Sequence, residues 1–410
     1  MKAADRPFLP YGRHLIDDDD VAAVSAVLRG DFLTTGPVVE EFEKAFARKV
    51  EARFAVACSS GTAGLHLAAM ALGLGEGDTV IVPTLTFLAT ANAARFVGAE
   101  VAFADVDPDT GLLGAKTLAA ILERLGARGA RAVIPVHLAG QCAPMPEIAS
   151  LAAEHGLAVI EDACHAVGAT YADVDGGKVA VGRCRHSRMA VFSLHPVKTV
   201  TMGEGGVVTT NDEDIYRQLL TLRNHGMTAD SSVFVNHDLA FETTGGANPW
   251  YYEMQHIGYN YRASAIHCAL GLSQLGKLDG FAARRRVLVE RYDRLLEPLA
   301  PMVRPIARVG GGMPAWHLYV VLIDFTAAGL TRRDLMERLR AEGIGTQVHY
   351  IPVHEQPYYR GRYGRLDLPG ADAYYAHTLS LPLFPAMSDE DVDRVVGALG
   401  GATANDGREA

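Results

Sequence analysis

Between about residue 50 and residue 225 the chain alternates short apolar runs with helical stretches, and this alternation narrows the possible folds more than any other feature. The apolar runs lie at 55–57, 79–82, 101–104, 132–136, 158–160, 189–192 and 206–209. Helical patterns at 62–72, 115–125 and 145–155 fall between several of them. Strands that are apolar along their whole length must be covered on both faces, and strand–helix–strand repeats supply that cover. The expected core is therefore a mostly parallel sheet with helices on both sides. In such sheets, ligands bind beyond the carboxyl ends of the strands.

After about residue 260 the pattern changes. A long amphipathic stretch at 264–296 is followed by a strand at 316–323, a helix at 332–342, a short strand at 345–349 and a final helix at 389–399. The expected division is a large α/β domain over 1–260, a smaller α+β domain over 261–402 and a disordered tail over 403–410. The run Asp17 to Asp20 precedes VAAVSAVL and reads as a helix start, where carboxylates suit the helix dipole. Residues 227–250 read as irregular.

Composition excludes some classes. A net charge of −10 argues against a nucleic-acid partner. The opening MKAADRPFLPYGRH lacks the apolar centre of a signal peptide, and no stretch approaches roughly 18 apolar residues. A cytoplasmic location without a membrane partner is expected. The five cysteines are scattered and form no CxxC pair, so neither a disulfide framework nor a metal site is expected.

The chemistry concentrates in FSLHPVKTVTMGEGG, residues 192–206. Lys198 sits on a turn between two apolar runs, with Ser193 before it and a glycine-rich turn after it. An amine held there is poorly placed as a solubilising charge and well placed to form a Schiff base with a carbonyl. Three further segments bear on that reading. SSGTAGLHLA opens a helix at Gly61 and Thr62, where free N–H groups attract an anion; a plain Ser/Thr cap would use the same donors. VIEDACHAVGA places Glu161 and Asp162 at a strand end, suited to holding a proton on a cofactor nitrogen, to a helix cap or to a core-edge ion pair. His165 follows, either as a core histidine or as a donor to a cofactor oxygen. PTLTFLATANAA offers Phe87 just after a strand, as a core side chain or as a ring stacked on a planar ligand. Pyridoxal 5′-phosphate needs all of these together: an anion site, a ring face, a strand-end carboxylate and a lysine.

These segments, with LTTGPVVEEFE, FADVDPDTG, VHLAGQ, LRNHGM, IGYNYRASAIHCALGLSQL and VHYIPVHEQPYY, resemble the DegT/DnrJ/StrS sugar aminotransferases. The resemblance covers nearly the whole chain and implies a fold-type I, pyridoxal-phosphate-dependent transferase. It also implies roles. Lys198 would be the Schiff-base lysine, Asp162 the partner of the pyridine nitrogen and His165 a neighbour of the ring hydroxyl. Phe87 would stack on the ring, and Gly61, Thr62, Ala63 and Ser193 would hold the phosphate. Asn260 would reach the phosphate of a partner subunit in a homodimer. Tyr11, Leu33, Thr34, His349 and Tyr350 would contact the sugar nucleotide.

Within the family, PYGRHLIDDDD, DFLTTGP and NPWYYEMQHIGYNYR are most like members of pseudaminic acid biosynthesis. Those transfer an amino group from L-glutamate to C4 of a UDP-linked 4-keto-6-deoxy-N-acetylhexosamine. Another nucleotide-linked keto-deoxy sugar, of perosamine type or aminated at C3, is the alternative. Leu194 and Met202 depart from the family's usual Phe and Thr. The family's dehydratases carry histidine in place of the lysine, and Lys198 argues against that activity. A non-catalytic regulator would need a DNA-binding module, which the sequence does not show.

Overall fold

A computed structural model describes residues 7–126 and 129–403. The apolar runs form β1 (Phe54–Cys58), β2 (Thr79–Pro83), β3 (Glu100–Ala104), β4 (Ala132–Val133) and β5 (Ala158–Asp162). A small hairpin, β6 (Thr170–Ala172) and β7 (Lys178–Ala180), precedes β8 (Met189–Ser193) and β9 (Gly206–Thr210). Seven of these strands make one sheet in the order β1-β9-β8-β5-β4-β2-β3. Only β9 runs antiparallel to its neighbours β1 and β8; the other pairs are parallel. Every residue of β9 is buried, as expected of a strand covered on both faces.

The helices of this part are α1 (Asp18–Leu28), α2 (Pro37–Lys49), α3 (Gly61–Ala71), α4 (Leu88–Phe96), α5 (Ala115–Leu125), α6 (Met145–Glu154) and α7 (Glu213–Leu222). The aspartate run starts α1 as expected: Asp17 caps it through the backbone amides of Asp19 and Asp20. Three helices were not anticipated: α2, α4 and α7. The segment 132–136 yields only a two-residue strand. Beyond it the chain still bonds outward, with the Ile134 amide donating to Ile81 O at 2.9 Å and Val136 bridging Asp162.

Residues 227–254 hold little regular structure: the pair β10 (Met227–Thr228) and β11 (Glu253–Met254), and the short α8 (His237–Ala240). Then α9 (Ala265–Leu296) runs for 32 residues, capped by Ser264 and packed on α1 and α2. Buried Asp20 ties α1 to α9, accepting from Gln274 Nε2 at 2.7 Å and Ser273 Oγ at 2.6 Å. A second sheet, antiparallel, contains β12 (Val303–Pro305), β13 (Tyr319–Ile323) and β14 (Thr378–Leu381) in that order. Helices α10 (Arg332–Ala341), α11 (Pro357–Tyr363), α12 (Pro369–His377) and α13 (Asp389–Thr403) accompany it. One apolar core runs from Val56 and Val191 of the large sheet to Val320 and Leu381 of the small one.

Three expectations change here. The strand at 316–323 begins only at Tyr319. The segment 345–349 is not a strand. It divides its hydrogen bonds between two partners, Gly345 N to Leu9 O (2.8 Å) and Gln347 N to Ser380 O (3.1 Å), so no ladder forms. The final helix continues to Thr403, whose buried hydroxyl donates to Leu399 O at 2.9 Å. Position 403 of the expected disordered tail is thus helical, because Leu399 and Thr403 share the buried face; 404–410 lie outside the described residues. Among the described residues no helix is long and apolar enough to cross a membrane, and no cluster of His, Cys, Asp and Glu could hold a metal. All five cysteines are free.

Candidate active site

The carboxyl ends of β2, β5 and β8, and the start of α3, face a cavity of about 520 Å³. Its lining brings together Tyr11, Gly61, Thr62, Phe87, Asp162, His165, Ser193, Lys198, His349 and Tyr350. Ala63, Leu33, Thr34 and Asn260, also expected at a site, are not in that lining.

Lys198 lies on the turn between β8 and β9, its backbone amide donating to His195 O at 2.9 Å. The side chain is half-buried and has no hydrogen-bond or ion-pair partner among the described residues. Burial pushes its amine below the usual 10.5, with Cys164 and Asp162 nearby pulling the other way. A larger share is therefore the neutral, nucleophilic amine than for a lysine in water.

The start of α3 is both a cap and an anion site. Ser60 Oγ accepts from the Ala63 amide at 3.1 Å, so that donor is already used. The amides of Gly61 and Thr62 have no acceptor among the described residues, and the helix dipole adds to their pull on an anion. Gly61 is needed for close approach: a Cβ there would stand 2.8 Å from Ser193 Cβ.

Adjacent strand residues face opposite sides, and this separates the two carboxylates. Glu161 turns away from the cavity into the core, where it pairs with His137 Nε2 (3.0 Å) and accepts from Ser187 Oγ (2.5 Å). Asp162, 5% exposed, faces the cavity. Its Oδ2 accepts from Thr90 Oγ1 at 2.6 Å and its Oδ1 from the Cys164 amide at 3.1 Å.

His165 Nδ1 accepts from the Ala139 amide at 3.3 Å, which assigns the ring proton to Nε2, 3.1 Å from the Tyr350 hydroxyl. Burial, with Lys198 and His349 nearby, holds this imidazole well below the usual 6.5 and therefore neutral. His349 Nδ1 is 2.8 Å from Ser380 Oγ, and burial, then Lys198, pushes its pKa down to about 3. The Tyr11 ring stands 5.4 Å from that of His349. Phe87 is 55% exposed at the cavity mouth, its ring 6.1 Å from that of Tyr350.

Leu33 and Thr34 lie on an exposed loop tied to the start of α9, with Leu33 O accepting from the Ala265 amide at 3.0 Å. Asn260 is exposed and bridges Asn224. It does not cap α9, because Ser264 does so through the His267 amide.

Several lining residues were not anticipated: Thr86, His195, Glu204, His317, Gln347 and Gln356. Thr86 and Thr90 stand four apart in PTLTFLATANAA, a spacing that becomes informative once α4 is recognised. His317, 4% exposed and 4.5 Å from the His165 ring, has no comparable local signal.

The donor set fits pyridoxal 5′-phosphate. It contains a lysine amine depressed by burial, a buried carboxylate, an exposed aromatic face, and two helix-start amides, unpaired among the described residues, flanked by the Thr62 and Ser193 hydroxyls. Comparison with known proteins agrees. The spore coat polysaccharide biosynthesis protein SpsC of Bacillus subtilis is 40% identical over 396 residues, 96% of each chain. The solved structure of Helicobacter pylori PseC, an aminotransferase involved in the biosynthesis of pseudoaminic acid, matches with a TM-score of 0.85 at 26% identity, over 97% of this chain and 99% of that one. DesI, solved in the presence of its TDP-sugar product, matches with a TM-score of 0.82 at 33% identity, over 98% and 94%. Residues 14–400 match the DegT/DnrJ/EryC1/StrS aminotransferase family, whose members depend on pyridoxal 5′-phosphate. By its length of match, its fold and its cavity, this chain belongs to the DegT/DnrJ/EryC1/StrS aminotransferase family and is a sugar aminotransferase.

Proposed function

We propose that this aminotransferase moves an amino group from L-glutamate to C4 of a UDP-linked 4-keto-6-deoxy-N-acetylhexosamine, the pseudaminic acid pathway substrate. The observation that carries the transaminase reading is the placement of Lys198, unpaired among the described residues and depressed by burial, in one cavity with Asp162 and the start of α3. The likeness to PseC along nearly the whole of both chains supports the choice of sugar.

Bound pyridoxal 5′-phosphate supplies an aldehyde for amines and a conjugated ring that takes up electrons from the carbon bearing the nitrogen. The protein's residues do the rest. Lys198 would be the covalent anchor; once the donor's own amine displaces it, its freed, neutral amine would take the proton from the donor's α-carbon. Asp162 holds a proton at the ring nitrogen. Gly61 and Thr62 amides, with Ser193, hold the phosphate, and the Ala63 amide supports them by fixing the Ser60 cap. Phe87 would cover the ring and His165 would stand by its hydroxyl edge. Tyr11, His349 and Tyr350 face the sugar.

Among the described residues the lining holds no arginine and only one lysine. Glutamate and a nucleotide diphosphate together bring at least three anionic groups. We infer that a second copy of the chain supplies a missing polar contact to the phosphate through Asn260, and that Leu33 and Thr34, also exposed in one protomer, contact the sugar nucleotide. The working unit is then a homodimer with shared sites.

The test is a screen of purified 4-keto nucleotide sugars with glutamate, the products assigned by NMR. Amination of the UDP-linked N-acetylhexosamine at C4 is expected. DesI favours the second reading, a different nucleotide-linked keto-deoxy sugar, because its identity to this chain exceeds that of PseC. Turnover of a TDP-linked sugar with none of the UDP sugar would decide for that reading.

A further inference from the structure

We propose that Thr86 and Thr90 form a two-hydroxyl relay that orients and polarises Asp162, which makes Thr90 a positioning residue for the reaction. The inference rests on the reading of Asp162 as the partner of the ring nitrogen.

The proton order of the relay follows from counting. Thr90 Oγ1 stands 2.6 Å from Asp162 Oδ2 and must donate, because a carboxylate has no proton to give. A hydroxyl has one proton, so in its 2.7 Å contact with Thr86 Oγ1, Thr90 accepts. Thr86 therefore donates, and its own oxygen offers only lone pairs to the cavity that it lines. The chain of donation runs from Thr86 to Thr90 and onto the Asp162 carboxylate.

Thr90 is fully buried and Thr86 is 2% exposed, so water cannot readily replace either bond. In so dry a place successive hydrogen bonds polarise one another. The Cys164 amide holds the other oxygen, Oδ1, at 3.1 Å. One donor on each oxygen sets the plane of the carboxylate. Each oxygen keeps further acceptor capacity, and Asp162 lines the cavity. Thr90 owes its position to α4: it sits one turn after Phe87, with its amide donating to Phe87 O at 3.2 Å. The helix that carries the ring-covering Phe87 at its start thus also sets the carboxylate.

The experiment compares Thr90→Val, Thr90→Ser, Thr86→Val and Asp162→Asn in the holoenzyme. The visible absorption of the bound cofactor is titrated against pH, and kcat and KM are measured separately. Thr90→Val should move the spectroscopic midpoint by roughly one pH unit. It should lower kcat about tenfold to a hundredfold while both KM values stay within about twofold, as loss of a hydrogen bond to a charged group implies. Thr86→Val should move both in the same direction by less, and Thr90→Ser should return within about threefold of wild type. A merely structural Thr90 would change thermal stability and leave the midpoint alone. An unmoved midpoint in Thr90→Val, with a displaced one in Asp162→Asn, overturns the relay and leaves Asp162 in its role. If Asp162→Asn is also unmoved, the reading of Asp162 falls and the relay with it. Should Thr90→Val fail to fold, Thr86→Val keeps the test open, since its unmoved midpoint overturns the relay equally.

Discussion

Gly61→Ala puts one methyl group where the start of α3 meets the end of β8. The added Cβ would stand 2.8 Å from Ser193 Cβ, 3.2 Å from Ser193 Cα and 3.3 Å from Cys164 Sγ. Carbon atoms rest at roughly 3.5–4.0 Å, so the helix start and the strand end must separate by about 0.7 Å or more. Two of the three obstructing atoms belong to β8, which is hydrogen-bonded on both sides, so α3 is the element that yields. Overpacking of this kind costs about 1–3 kcal/mol. The same shift displaces the Gly61 and Thr62 amides from the Ser193 hydroxyl. Carried over to cofactor binding, that cost lowers affinity by about fivefold to a hundredfold, since 1.4 kcal/mol is a factor of ten. Gly280→Ala in α9 is the control. There the new methyl meets nothing within 4 Å, and alanine should stabilise the helix by about 0.5–1 kcal/mol with unchanged cofactor affinity. The assays are urea unfolding of the apoprotein and titration of apoprotein with pyridoxal 5′-phosphate, followed by absorbance. Wild-type affinity in a destabilised Gly61→Ala would refute the anion cradle at the start of α3; wild-type stability would refute the clash itself.

Three further outcomes are expected. Lys198→Ala should abolish borohydride-trappable cofactor and transamination, checked by mass spectrometry and a coupled amino-transfer assay; near-normal turnover would remove Lys198 from the mechanism. Mixing inactive Lys198→Ala with an inactive Asn260→Ala protein under subunit exchange should restore activity, because one site in each heterodimer regains both groups; proven heterodimers without recovery would count against shared sites. His349 is depressed from 6.5 to about 3, so between those values the unfolded chain binds a proton that the folded chain refuses, and stability falls as pH drops below 6.5. From pH 6.5 to about 5 this single group should cost roughly 2 kcal/mol, and His349→Gln should lose that much less in urea unfolding. Equal losses in both proteins would mean that His349 is not held neutral.

Much of the large sheet was legible because its strands are covered on both faces and so read as unbroken apolar runs. The helices α2, α4 and α7 were missed for the converse reason. They are amphipathic or alanine- and threonine-rich, and short range alone does not separate LATANAARF from loop. The segment 345–349 has strand-like residues, yet it becomes a junction because Leu9 and Ser380, far apart in sequence, each claim one of its amides. Lys198, Asp162, Phe87 and the start of α3 could be named beforehand because each ends or follows a strand, and strand ends are where such sheets bind ligands.

What the chain determined by itself is what near neighbours decide: the period of its apolar residues, the caps of its helices and the turn that carries Lys198. Alternation along β5 already required Glu161 and Asp162 to face opposite ways, but not which one would meet the cavity. That depended on the order of β5 between β4 and β8 and on the side from which α3 and α4 cover the sheet. The same division separates Gly61 from Gly280. Both are helical glycines, and only packing against a strand more than a hundred residues away makes one indispensable and the other replaceable. Tyr350 reaches His165, and Thr90 reaches Asp162, across 185 and 72 residues of chain. Such contacts depend on register and close packing summed over the whole core, and no local window of sequence contains that sum.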